Sequence, residues 1–323
     1  MRAIVQDGYG PATVLGLREL DRPAVGAGEV LVQVHAAGVD RGVWHLMTGL
    51  PYPVRLAYGV RRPRTPTPGM DLAGVVVAVG ADVTRFRAGD PVLGIGKGTF
   101  AEYARAPETK LVAKPAGLTF EQAAAVAISG ATALQAVRDQ GRVRPGQQVL
   151  VVGASGGVGS YAVQIAKAYG AEVTGVASST KLDLVRSLGA DHVVDYTRDD
   201  FAGGDRRYDV IIDIGGNAGL SRLRRALTPA GTAVITGGET GGRWLGGYDR
   251  QLRATLLSPF VSQRLTTFVN SEALDDLVAL TELIEAGHVV PAVDRSFPLA
   301  EAAEAIRYVE EGHARGKVVV TVV

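Results

Sequence analysis

A chain of 323 residues is long enough for one large or two ordinary domains with a sizeable core, and 46% hydrophobic against 21% charged residues is a globular balance. A net charge of +1 gives no electrostatic reason to expect nucleic acid or an anionic membrane, and no stretch approaches the ~18 apolar residues of a membrane span. The absence of cysteine excludes disulfides, thiolate catalysis and cysteine-held metal. The N-terminal MRAIVQDGYG has no long apolar core and reads as a first strand, so a soluble, cytoplasmic protein is expected.

Up to about Pro115 the chain is dense in short β-type runs: 3–5, 29–35, 72–79, 91–94 and 100–105. Gly, Pro and Asp punctuate them, which suggests a small barrel or sandwich. From Thr119 the texture becomes helical and alanine-rich, through FEQAAAVAISGATALQAV. A strand–helix alternation follows: strands 149–153, 172–177, 192–195, 208–213 and 231–236, with helices 157–169, 180–188 and 218–227. That spacing predicts an α/β fold with a doubly wound parallel sheet. A further strand, 264–269, would lie at a sheet edge. Helices 273–286 and 299–311 lead to a last strand, 317–322, which most simply rejoins the N-terminal barrel. The expected domains are 1–121 with 271–323, and 122–270.

The most informative segment is Gly146–Lys167, GQQVLVVGASGGVGSYAVQIAK. An apolar run meets the glycines 153, 156, 157 and 159, and a helical pattern follows. Strand, tight turn and helix in that order suit a dinucleotide, because the glycines let its pyrophosphate approach the helix N-terminus. Gly153, Ser155, Gly156, Gly157 and Val158 are the candidate contacts.

This segment resembles the signature of the medium-chain dehydrogenase/reductase superfamily, in particular its zinc-independent quinone oxidoreductase-like reductases. The segments GMDLAGVVVAVGADVTRFRAGDPVLG (69–94) and GHARGKVVVTV (312–322) are similar to the barrel segment and C-terminal strand of the same proteins. The resemblance implies a Rossmann domain plus a GroES-like β-barrel domain, with the active site in the cleft between them. Zinc-dependent relatives carry Gly-His-Glu where this chain reads Gly69-Met70-Asp71. Methionine is a poor zinc ligand and the five histidines are dispersed, so no metal is expected. Without a Lewis acid, the chemistry that remains natural is hydride addition to an already electrophilic acceptor, such as a quinone or an α,β-unsaturated carbonyl.

NAD-specific sites place an acid at the end of the second strand of the sheet. Here Glu172–Ala177 runs into Ser178-Ser179-Thr180-Lys181, with no acid at the tip. Hydroxyls and a cation suit a 2′-phosphate, so NADPH is the expected cofactor, bound through Ser178, Ser179 and Lys181. A serine there also suits a helix cap, and Asp183 lies one turn further on. The resemblance adds Tyr196, after the third strand, and Thr132, beside the nicotinamide. Asp213-Ile214-Gly215-Gly216-Asn217 and Gly237-Gly238 end the fourth and fifth strands, so Gly215 and Gly237 are backbone contacts in prospect.

For catalysis the resemblance points to Tyr52, in Gly49-Leu50-Pro51-Tyr52-Pro53, as proton donor. An inserted proline shifts it by one residue, and an aromatic packed at the cleft edge is the alternative. Asp40 stands where the family has asparagine, with Arg41 and Val43 replacing its proline and aspartate. It is either a site residue or a structural aspartate at a turn. Trp44, His45 and Met47 follow, as cleft lining or as core. Arg61, Arg62 and Arg64 make a basic loop, suited to an anionic substrate or simply to solvent. The resemblance also implies a homodimer through the edge segment 264–269. The expected activity is an NADPH-dependent reduction of a small electrophile. A tailoring reductase of secondary metabolism and a non-catalytic NADPH-binding sensor or structural protein are the alternatives.

Overall fold

The computed structural model describes residues 1–216, 218–237 and 242–323. The chain divides into two compact units: Met1–Ala131 with Glu272–Glu285 and Pro291–Val323, and Thr132–Ser271 with Ala286–Val290.

The second unit is built on six parallel strands. Across the sheet they run His192–Asp195, Glu172–Ala177, Gln148–Val152, Tyr208–Asp213, Leu227–Ile235 and Arg264–Thr267. The chain starts in the middle at Gln148–Val152, builds outward on one side, then returns to the other flank at Tyr208–Asp213. Val149, Leu150 and Val151 are all fully buried, as expected of a strand covered on both faces. The helix Gly157–Ala168 follows it. Its entry demands close approach. Gly153 has φ +85°, and a Cβ at Gly159 would stand 2.0 Å from the Gly153 carbonyl oxygen, so the helix seats on the turn only because Gly159 has no side chain.

The first unit centres on the strand Glu29–Val39, which pairs antiparallel with Asp71–Val79, Tyr103–Pro107 and Lys317–Thr321. Register shifts at Leu31/Val32 and Val34/Ala36 mark where it bends. Asp71–Val79 continues to Pro91–Ile95 and Leu111–Ala113, and Val293–Pro298 lies parallel beside Lys317–Thr321. The last strand therefore does close the N-terminal sheet. Two expectations shift. The run from Phe100 is a strand only from Tyr103, because the Phe100 amide and carbonyl are taken by Pro68 and Ile4. The alanine-rich stretch is three pieces: Phe120–Ala124, Ala127–Leu134 and a π-turned Gln135–Gln140. The break has a cause, since the Ile128 amide, at the start of the second piece, donates to the Asp71 carboxylate at 2.8 Å.

That carboxylate belongs to a buried ion pair. Asp71 opens its strand at 0% exposure, and Lys317, at 1%, opens the C-terminal strand. Lys317 Nζ donates to Asp71 Oδ2 at 3.2 Å and to Ser129 Oγ at 3.1 Å. Burial pushes the Asp71 carboxyl up to about 6, Lys317 pulls it back, and Asp40 raises it. A folded-state value above the ordinary 3.8 means that stability is lost as pH rises from about 3.8 to about 6 and is level above. Lys317→Met removes the cation that holds the carboxyl down, so the pH-dependent loss extends further up the scale. We expect urea unfolding of that variant to show a loss of about 3–5 kcal/mol at pH 8 and a smaller one at pH 5, with Asp71→Asn restoring part of it.

Candidate cofactor and substrate sites

In the second unit the site grows from the strand ends. The Gly153 and Ala154 amides donate to the Val176 carbonyl at 3.1 and 3.0 Å, which ties the turn to the neighbouring strand. Ser155 is buried. Gly156 opens the helix with extended backbone and no side-chain cap. The first-turn amides, from Gly157 and Val158 onward, point out of the helix end as an anion site does. The Gly215 amide donates to the Val152 carbonyl at 3.1 Å, and a Cβ at Gly237 would stand 1.9 Å from the Ile214 carbonyl oxygen. Gly153, Gly215 and Gly237 thus gather where the strand order reverses, the place where open α/β sheets bind ligands. Asn217 and Gly238 lie outside the described residues.

A residue that the sequence pattern does not flag braces this edge. Arg250, from the helix Tyr248–Leu257, donates to the buried carboxylate of Asp213 and to the carbonyls of Ala218 at 2.8 Å and Gly237 at 2.7 Å. Burial pushes the Asp213 carboxyl up, and Arg250 opposes that shift.

At the tip of Glu172–Ala177, neither serine caps a helix. Ser178 precedes a 3-10 turn, Ser179–Lys181, without a side-chain capping bond, and the α-helix begins at Leu182. The Ser179 hydroxyl instead donates to Asp195 and lies 3.2 Å from the Thr197 hydroxyl. Tyr196 is exposed beside them, Lys181 is half-buried, and Asp183 is exposed. Asp195 also accepts the Thr197 amide at 3.0 Å and its hydroxyl at 2.7 Å. These bonds, Ser179's foremost, hold its carboxyl below the usual carboxylate range. An acid therefore does stand at this tip, although none follows the second strand in sequence. It comes from the neighbouring strand, where Asp195 pairs in register with Ala177. Thr132 accepts the Asn270 side-chain amide at 3.0 Å, and Gln135 in turn bonds Asn270 at 3.2 Å.

In the first unit Asp40 caps the helix Arg41–Thr48, its Oδ1 accepting the Val43 amide at 3.2 Å. Its Oδ2 is buried with no hydrogen-bond partner. Arg41 lies 4.8 Å over the Trp44 ring. Val43 and Met47 are core residues at 0% exposure, Trp44 packs against that core, and His45 Nδ1 meets the Leu50 carbonyl at 2.7 Å. Tyr52 is half-buried, 4.9 Å beneath the Arg55 guanidinium, which also covers Tyr9 at 4.6 Å and donates to the Gly49 carbonyl at 2.9 Å. A cavity of about 440 Å³ opens in this unit. Leu46, Tyr58, Arg64, Met70, Ile95 and Lys97 line it, while Tyr52 and Asp40 are not among its walls. Tyr58 and Lys97 carry no signal in the sequence because they reach the cavity from separate places, Tyr58 from the end of the short helix Val54–Tyr58 and Lys97 from the segment after Pro91–Ile95. Among the described residues no three His, Asp or Glu side chains gather as a metal site would require.

Comparison with known proteins agrees with this architecture. Residues 26–116 match the family described as "Alcohol dehydrogenase GroES-like domain", and residues 188–320 match "Zinc-binding dehydrogenase". The human "Quinone oxidoreductase" is 32% identical over 99% of this chain and 97% of its own length. An Arabidopsis thaliana "NADPH-dependent alkenal/one oxidoreductase, chloroplastic" is 34% identical over 99% of this chain and 79% of its own length. A solved quinone oxidoreductase from Coxiella burnetii superposes with a TM-score of 0.85 at 29% identity, covering 100% of this chain and 99% of that one. With a GroES-like domain, a Rossmann-type parallel sheet and whole-length likeness to these oxidoreductases, the chain belongs to the medium-chain dehydrogenase/reductase superfamily as a quinone oxidoreductase-like member.

Proposed function

We propose that this oxidoreductase uses NADPH to reduce a quinone or an α,β-unsaturated carbonyl compound. The observation that carries the reading is the uncapped helix end at Gly156–Val158, set where the strand order reverses and lined by glycine backbone. The names of the relatives, quinone and alkenal/one oxidoreductases, support the acceptor class. One solved neighbour, a mycobacterial protein 27% identical at TM-score 0.85, is described as complexed with NADPH.

The residues present fit such a cofactor. Gly153, Ser155, Gly156, Gly157 and Val158 would hold the pyrophosphate, with Gly215 and Gly237 allowing close backbone approach. Thr132 would sit beside the nicotinamide, and Asp40 Oδ2 is a buried acceptor lacking a donor, which a ligand hydroxyl would supply. When bound, the reduced nicotinamide supplies a hydride for the β-carbon of an enone or for the quinone ring. The protein's share is then positioning and a proton for the α-carbon or the quinone oxygen. Tyr52 is our candidate donor. Replacing it by phenylalanine should lower kcat about a hundredfold with little change in KM. A kcat equal to that of the unaltered enzyme would move the role to Tyr58 or to water, with Tyr58→Phe as the deciding comparison.

Ser178, Ser179, Lys181 and Tyr196 would hold the 2′-phosphate. Asp195 opposes them, since its carboxylate already occupies the Ser179 hydroxyl and repels a phosphate. The enzyme should therefore prefer NADPH only moderately. Asp195→Asn should raise the NADPH-to-NADH ratio of kcat/KM about tenfold, equivalent to ~1.4 kcal/mol, and Lys181→Ala should lower it by a similar factor. A ratio indifferent to both would place the 2′-group elsewhere.

We also propose a homodimer. Arg264–Thr267 is the outer strand of its sheet, and the apolar side chains of Phe260 and Val269 flank it at 84% and 85% exposure. Light scattering should show about twice the chain mass. Phe260→Asp with Val269→Asp should shift it toward one chain.

A further inference from the structure

We propose that the cavity of the first unit selects acceptors that carry a carboxylate on an apolar body. This deepens the reductase reading and rests on it. Leu46, in the wall of the cavity, belongs to the helix that Asp40 caps, and Met70 lies in the same wall.

The walls divide by chemistry. Leu46, Ala57, Tyr58, Pro63, Met70 and Ile95 form an apolar surface. The charged lining residues are Arg64, Lys97, Lys110 and Glu272. Glu272 is committed, since its carboxylate takes the Lys110 ammonium, and that pair is neutral as a unit. Arg64 and Lys97 are left as net positive charge, and no carboxylate among the described residues pairs with either. Both are fixed at the backbone. The Arg64 amide donates to the Tyr58 carbonyl at 2.8 Å, and the Lys97 amide to the Arg105 carbonyl at 3.1 Å. Their side chains are exposed enough to remain hydrated until a ligand arrives, so they are not locked into a structural role. Two cations beside a low-polarity wall focus a positive potential into the cavity.

The basic loop seen in the sequence thus resolves into unequal parts. Arg64 faces the cavity, whereas Arg61 and Arg62 do not line it, and the field of Arg62 falls on Asp7 instead. A volume of about 440 Å³ is within the usual range for small-molecule sites. It suits a single ring or a medium-length chain bearing the reactive carbonyl and one anionic end. Arginine binds a carboxylate with two parallel N–H donors, and lysine adds a point charge from the other loop.

The test uses one reactive group with and without the charge. 7-Oxonon-8-enoic acid and its methyl ester share a vinyl ketone and differ at the far end. NADPH oxidation by the intact enzyme should give kcat/KM at least tenfold higher for the acid. The ratio should fall toward one in Arg64→Gln/Lys97→Gln, while Arg61→Gln/Arg62→Gln, on the same loop but off the cavity, keeps it. High salt should compress the wild-type ratio as well. Equal rates for acid and ester in the wild type, or a ratio that survives the Arg64/Lys97 pair of changes, would overturn the proposal. Calorimetric binding of the saturated acid and ester separates this from the parent reading. If neither compound is reduced but the acid still binds more tightly through Arg64 and Lys97, the reductase reading fails and anion selection stands. If the acid shows no binding advantage, anion selection fails whatever the turnover.

Discussion

The second unit depends on backbone meeting backbone at the carboxyl ends of its central strands. Side chains at Gly159 or Gly237 would stand within 2.0 Å of carbonyl oxygens, so these approaches exist only because the residues are glycine. Closing that gap seats the helix on its strand, aims the uncapped helix end at a ligand and brings the turn after Tyr208–Asp213 beside the first glycine turn. Arg250 completes the arrangement. It spans three acceptors with one planar group, which a lysine could not do. The loop ends are therefore held in place before any ligand binds, and preorganisation of this kind spares a binding site the entropy of ordering its own walls.

Much of this is legible in the sequence because it is local. The glycine turn, the alternation of strands and helices and the returning last strand are patterns of period and punctuation, and the structure carries them at residues 149–169 and 317–322 as those patterns predict. Side-chain partnerships across strands are not legible. Asp195 lies well beyond Ser179 in the chain, yet parallel pairing sets it beside a tip whose own sequence holds no acid. Asp213 and Arg250 are likewise distant in sequence. The helical stretch after Thr119 misleads in a related way, because its period is unbroken on paper while a buried carboxylate from another strand claims an amide within it.

The candidates in the first unit illustrate a second limit. The sequence leaves Asp40 open between a structural and a site residue, and it is a helix cap by one oxygen and an unsatisfied acceptor by the other. A helix-capping aspartate gains from the amide it satisfies, and a buried oxygen left open loses, so the two roles pull in opposite directions on one side chain. Met47, from the same helix, goes wholly into the core. Helical periodicity alone leaves the inward face undivided between core and cavity.

The ion pair between Asp71 and Lys317 has a consequence for how the chain is made. Its two partners come from opposite ends of the sequence, while the residues from Thr132 to Ser271 form an almost uninterrupted segment of their own unit. During synthesis that segment leaves the ribosome with all six strands of its sheet, whereas the N-terminal sheet must wait for its last strand. Until then Asp71 is a carboxylate without its counter-ion beside an unpaired flank of Glu29–Val39. The unit begun first is thus the unit finished last, and the exposed interval between the two is where a chaperone would be of most use.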